Sequence, residues 1–286
     1  MSIEVTASDV PRPDGLSRAR LGRAVAVGLV AGFLSGLFGV GGGILIVPAL
    51  VIAMRMDQRL AHGTSLAAVL PIALSSTLGY SLEDKVDWPV AALLAGGAVF
   101  GAVVGTHVLH ILPKRALAIS FGVLLAATAV RLLLDHADAG GRSDLDAGAV
   151  IGLLVLGVVS GILAGLLGVG GGIIMVPAMV VLFHVPPTVA RGTSLAVIVP
   201  TSIMGTWRNR ANGNAELPTA VVVGLAGVVS AFVASQISVG MSETASNVLF
   251  ALLLLIVAAR MLWQQLVSGS RSDADAEVAA IPGSPE

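Results

Sequence analysis

Polar residues along this chain come in short clusters, and what lies between them is almost wholly apolar. The apolar stretches run roughly 24–54, 63–82, 90–110, 116–134, 148–183, 192–207, 217–240 and 246–263. About 18 or more apolar residues in a row mark a membrane-crossing helix, so the pattern predicts an all-α polytopic membrane protein. Two stretches are too long for one crossing. As one helix, 24–54 would extend about 46 Å, against a hydrocarbon core of about 30 Å. Each of the long stretches, 24–54 and 148–183, carries a glycine run near its middle. Either the helix tilts steeply, or it breaks at the glycines and turns back as a hairpin.

The two glycine runs are copies. Gly36-Leu37-Phe38-Gly39-Val40-Gly41-Gly42-Gly43 returns as Gly165-Leu166-Leu167-Gly168-Val169-Gly170-Gly171-Gly172, and Val47-Pro48-Ala49 as Val176-Pro177-Ala178. The offset from Gly39 to Gly168 also carries Gly63-Thr64-Ser65-Leu66-Ala67 onto Gly192-Thr193-Ser194-Leu195-Ala196, and Pro71 onto Pro200. Interrupted apolar segments at matched positions of two halves point to a transporter built from two repeats around a central site.

Composition narrows the class. Hydrophobic residues make up 56% of the chain and charged ones 12%, where a soluble domain carries about a quarter charged residues. The absence of cysteine excludes disulfides, thiol catalysis and thiolate-held metals. The placement of the few charges decides between tilt and fold-back. With Arg18, Arg20 and Arg23 in the cytoplasm, a single crossing of 24–54 would put Arg55, Arg59, Lys114 and Arg115 outside, against the positive-inside rule. A fold-back keeps all four inside. It puts Glu83, Asp84, Asp87 and the acidic linker outside, returns Arg208 and Arg210 to the inside, and leaves Arg191 on the outer side. Each half then makes three crossings plus one hairpin, for eight to ten spans, and the halves are inverted relative to each other. The expected organisation is a disordered cytoplasmic tail (1–22), a first repeat (23–135), an extracytoplasmic linker (136–147), a second repeat (148–267) and a disordered cytoplasmic tail (268–286).

In lipid a broken helix survives only where it is buried in protein or lines a wet cavity. Gly39, Gly41, Gly42 and Gly43, with Gly168, Gly170, Gly171 and Gly172, suit such a break because they tolerate positive φ and leave their amides unscreened. Two geometries are open. The second limb starts near Ile44 with the glycine amides as a helix N-terminus, or Pro48 is the first helical residue and 40–47 form an extended filter. Either presents free amides, which favour an anion. Close helix packing is the competing use of glycine; a dinucleotide loop lacks the strand, helix and acidic residue it needs. Thr64, Ser65, Thr193 and Ser194 offer hydroxyl donors, or else cap helices. His62 and Arg191, at matched positions, suit anion attraction at the two mouths and a gating or coupling role. His107, matched by Gln236, is the titratable residue well inside a segment and a candidate for proton coupling. No metal-ligand cluster, nucleophile–base pattern or nucleotide loop is written in the sequence, so neither a cofactor nor nucleic acid is implied, and the chain reads as a non-enzyme.

The paired Gly-x-x-Gly-Val-Gly-Gly-Gly-x-x-x-Val-Pro signatures at 36–48 and 165–177, with the paired Gly-Thr-Ser-Leu-Ala segments, resemble the sulfite exporter TauE/SafE family, also called the toluene sulfonate uptake permease family. The resemblance spans nearly all of 24–265. It implies an inner-membrane secondary transporter of sulfur-containing anions such as sulfite, thiosulfate or an organosulfonate, driven by an H+ or Na+ gradient. The residues themselves suit any small oxyanion. The alternatives are a passive anion channel, a membrane-embedded enzyme of sulfur metabolism, and a membrane subunit that holds a partner.

Overall fold

A computed structural model describes residues 18–108, 114–134, 145–167, 170–242 and 244–259. These residues form helices without strands: α1 (Arg18–Phe38), α2 (Gly43–Met54), α3 (Gln58–Ser81), α4 (Trp88–Val108), α5 (Lys114–Leu134), α6 (Ala147–Leu167), α7 (Gly172–Leu182), α8 (Pro187–Ala211), α9 (Leu217–Gly240) and α10 (Thr244–Ala259). Four described helices are long and apolar enough to cross a membrane: α1, α3, α6 over Ala147–Ala164, and α9. The protein is an all-α, multi-pass membrane protein. α1 starts at Arg18, inside the stretch expected as a tail. Residues 1–17, most of the linker and the C-terminal tail lie outside the described residues.

Local chemistry sets the helix starts. The Asp57 carboxylate accepts from the Arg59 amide at 2.9 Å at the head of α3. Asp87 accepts from Val90 at 3.1 Å before α4, and Asp146 from Ala149 at 2.7 Å before α6. Such side chains satisfy amides that have no partner within the helix. α8 instead starts at a proline, whose missing N–H costs nothing there.

Both long apolar stretches break and fold back. α1 ends at Phe38 and α2 begins at Gly43; α6 ends at Leu167 and α7 begins at Gly172. The limbs lie side by side. Arg23, near the start of α1, donates to the carbonyl of Ala53, near the end of α2, at 3.0 Å. In the second hairpin a methyl added at Gly152 would lie 3.0 Å from the ring of Phe183, just after α7. The return limbs have 12 and 11 residues, roughly 17–18 Å, too short to cross the hydrocarbon alone.

Glycine faces set the helix directions. On α1, a methyl at Gly28, Gly32 or Gly36 would strike the carbonyl of Val223, Gly227 or Ala231 in turn on α9, so the two helices run parallel. α4 and α6 do the same, with Gly97 against Leu154 and Gly101 against Val158. α3 also runs parallel to α9: Ser75 donates to the Val228 carbonyl at 2.7 Å, and Gln236 to that of Gly79 at 2.9 Å. α3 and α8, the pair carrying the Gly-Thr-Ser motifs, run antiparallel. Gly63 sits against Asn209, Gly205 against Leu66, and Gly192 against Tyr80.

Candidate functional site between two glycine tips

The hairpin tips are held by backbone conformations that only glycine adopts cheaply. Gly39, Gly41 and Gly42 have φ of 71°, 80° and 69°, and Gly170 and Gly171 have 77° and 79°. Gly42 and Gly171 are the N-caps of α2 and α7. The Gly42 carbonyl accepts from Leu45 at 3.0 Å and Ile46 at 3.1 Å, and the Gly171 carbonyl accepts from Ile174 and Met175 in the same pattern. Each return limb is therefore helical from its first residue. Pro48 and Pro177 lie inside α2 and α7, so the extended filter starting at proline is not formed. The first-turn amides, Gly43 and Ile44 on one tip and Gly172 and Ile173 on the other, have no partner within the helix and carry its positive end. Gly39 is not among these donors: its N–H closes the last turn of α1 on Ser35 O at 2.8 Å. Gly168 lies outside the described residues.

The two tips meet midway along α3 and α8. A methyl built on Gly172 would lie 2.9 Å from the Gly39 carbonyl oxygen, 2.8 Å from Ser194 Oγ and 2.8 Å from Ile198 Cδ1. A methyl on Gly41 would lie 2.8 Å from Ile198 Cδ1 and 3.6 Å from Val69 Cγ1. Ser194 is fully buried, and its hydroxyl has no hydrogen-bond partner. Its match, Ser65, is equally buried. An unpaired hydroxyl beside an uncapped helix N-terminus is a donor set for an oxyanion.

The other candidates separate from this centre. Thr64 Oγ1 accepts from the Glu216 amide at 2.9 Å, and Thr193 Oγ1 from the Asp87 amide at 2.9 Å. Both threonines tie down the loop before a helix of the opposite half, so their oxygens serve the fold. His62 sits in the first turns of α3. His107 belongs to α4, but its side chain lies outside the described residues, and Gln236 bonds α9 to α3.

Arg191 departs most from expectation. It is 1% exposed, not at a mouth. Its backbone packs on the first tip, 2.5 Å from a methyl built on Gly39. Its guanidinium donates to Ser238 Oγ at 3.4 Å, to Ser246 Oγ, and to Ser246 O at 3.1 Å, and lies 4.8 Å from the centre of the Phe250 ring. Tyr80 completes the group: its hydroxyl donates to Gly36 O at 2.8 Å, while Ser238 donates to Leu37 O at 3.0 Å. These carbonyls form the C-terminal, negative end of α1. The carbonyl end of α1 is thus met by the hydroxyls of Tyr80 and Ser238, with Arg191 behind Ser238. Sequence reading missed Tyr80, Ser238, Ser246 and Phe250, which carry no motif. Val69 and Ile198 could have been found, since they match across the repeat and stand two residues before Pro71 and Pro200.

Comparison with known proteins agrees with a membrane transporter. The family model described as sulfite exporter TauE/SafE matches residues 8–132 and 153–284. The chain is 32% identical over 214 residues to the probable membrane transporter protein YunE of Bacillus subtilis, covering 66% of this chain and 78% of that one. It is 30% identical over 190 residues to the probable membrane transporter protein MJ0441 of Methanocaldococcus jannaschii, covering 63% and 69%. A probable membrane transporter protein of Xylella fastidiosa shares 40% identity over 110 residues, 38% of this chain and 42% of that protein. No solved structure matches.

Proposed function

This chain belongs to the sulfite exporter TauE/SafE family, and from that premise we propose that it is a secondary carrier for a small oxyanion of sulfur, moved by alternating access. Sulfite, thiosulfate and small organosulfonates are the substrate class, and an H+ or Na+ gradient is the driving force. The observation that carries the reading is the meeting of the tips. The N-terminus of α7 stands beside a buried, unpartnered Ser194 hydroxyl and against the first tip at Gly39. The anion binds to the amides of Gly172 and Ile173 with Ser194 as hydroxyl donor, and Gly43, Ile44 and Ser65 are the matched half-site of the other repeat.

Two inverted halves supply the alternation. The antiparallel run of the matched helices α3 and α8 supports that inversion, because an axis in the membrane plane exchanges equivalent helices of opposite direction. Clusters of arginine at Arg55 and Arg59, and at Arg208 and Arg210, support an inner-membrane protein with both termini in the cytoplasm.

Counterflow in proteoliposomes tests this function. Vesicles loaded with unlabelled sulfite are to accumulate labelled sulfite transiently, with thiosulfate and sulfoacetate competing and chloride not. Ser194→Ala is to raise the half-saturation concentration at least tenfold, since a hydrogen bond to a charged group contributes about 1.5–3 kcal/mol. Flux that rises linearly with concentration and shows no counterflow would make the protein a channel. Flat traces from folded protein across the whole panel would overturn the anion reading.

A further inference from the structure

Ile198 stands between the two glycine tips. It is fully buried, and it faces both tips at once. Methyls built on Gly41, Gly170 and Gly172 would lie 2.8, 3.1 and 2.8 Å from its side-chain carbons. Val69, its match on α3, lies beside the same Gly41. Buried hydroxyls fall on either side of Ile198. Ser194 precedes Ile198 by one turn of α8 and Ser202 follows it by one turn; Ser76 follows Val69 on α3. The hydroxyls of Ser194, Ser202 and Ser76 are all buried without a hydrogen-bond partner. Because α3 and α8 run antiparallel, Ser76 lies toward the Arg191 end of α8, with Ser194, and Ser202 lies on the far side.

Buried hydroxyls without partners are costly in an apolar setting, and a path that takes up a polar solute gives them one. A bulky aliphatic group between two such hydroxyl sets is a barrier that dewets and excludes a hydrated ion. We propose that Ile198, backed by Val69, is the central barrier of the transport path: it separates two hydroxyl-lined half-paths and limits the size of the anion that passes between the tips. This rests on the anion-carrier reading above, and adds to it the residue that keeps a carrier from being a pore. A side chain at 41, 170 or 172 would press on Ile198.

A graded series tests it: Ile198→Val, which copies the matched side chain, Ile198→Ala, and Ile198→Phe. Each is purified, checked for a single symmetric peak by size-exclusion chromatography, and reconstituted. Two quantities are read: counterflow of labelled sulfite, and passive efflux with no anion on the opposite side. Efflux is to rise in the order Ile, Val, Ala, by at least tenfold at Ala, with counterflow falling in parallel. Ile198→Phe is to lower both. Anions larger than sulfite, such as a benzenesulfonate, are to gain entry in Ile198→Ala relative to wild type. Should Ile198→Ala fail to fold, Ile198→Val carries the test with a smaller rise. Wild-type counterflow together with unchanged efflux and unchanged size preference in the folded variants overturns the barrier and leaves the carrier intact. Absence of counterflow in the wild type is instead a failure of the carrier reading.

Discussion

Arg191 and Thr193 stand two residues apart and show how a membrane helix divides its polar groups. Arg191 has its guanidinium shared among Ser238, two atoms of Ser246 and the Phe250 face. Lysine keeps the charge but has one nitrogen where arginine spreads three, so it cannot hold the same set. Arg191→Lys is therefore expected to lower the stability of the purified protein by about 1.5–3 kcal/mol, read as a fall in Tm in detergent. An unchanged Tm would mean that the network contributes nothing to the fold. Thr193→Val strands the Asp87 amide that the hydroxyl now satisfies. It is expected to cost about 1–3 kcal/mol, while the half-saturation concentration for sulfite stays at the wild-type value. A change in affinity with no change in Tm would return Thr193 to the site. The sequence showed that position 191 carries a charge and that 193 and 194 carry hydroxyls. It did not show their surroundings, because α9 and α10, which bury Arg191, lie some fifty residues along the chain.

At the scale of helices, the glycines divide into two sets that a sequence window does not separate. Gly39, Gly41, Gly42, Gly170 and Gly171 sit at positive φ where the hairpins turn; Gly28, Gly32 and Gly36 stay inside α1 and let α9 approach to backbone contact. The repeat of the run, with proline following, made the break legible. The start of α2 at Gly43 was not, since Pro48 fits the first turn of a helix and also an interior position that neighbouring helices support. Paired substitutions test the packing set. Gly32→Val, aimed at the Gly227 carbonyl, is expected to destabilise the fold by about 1–3 kcal/mol or more, seen as loss of the monodisperse species. Gly96→Val, with nothing within 4 Å of the new carbon, is expected to leave Tm unchanged. Equal effects at both positions would remove α9 as the reason for Gly32.

For the whole molecule, the inversion of the halves has a direct test. Arg59 and His184, both exposed, precede or open the matched helices α3 and α8, and the chain has no cysteine. In inside-out and right-side-out vesicles, Arg59→Cys is expected to react with an impermeant maleimide only from the cytoplasmic face, and His184→Cys only from the outer face. Labelling from one common face would sink the inversion. The constant offset made the two halves visible in the sequence, and the basic clusters are what argue for opposite directions. Which helix neighbours which was hidden. A repeat states equivalence and not contact, and here α1 packs on α9 while α6 packs on α4. That exchange reaches into biosynthesis. When α1 leaves the ribosome its groove does not yet exist, and it stays unwritten until the chain has been extended through α9. The glycine face of α1 is therefore completed only after the second half has been made. A truncation that removes α9 is expected to leave that face without the helix it packs on.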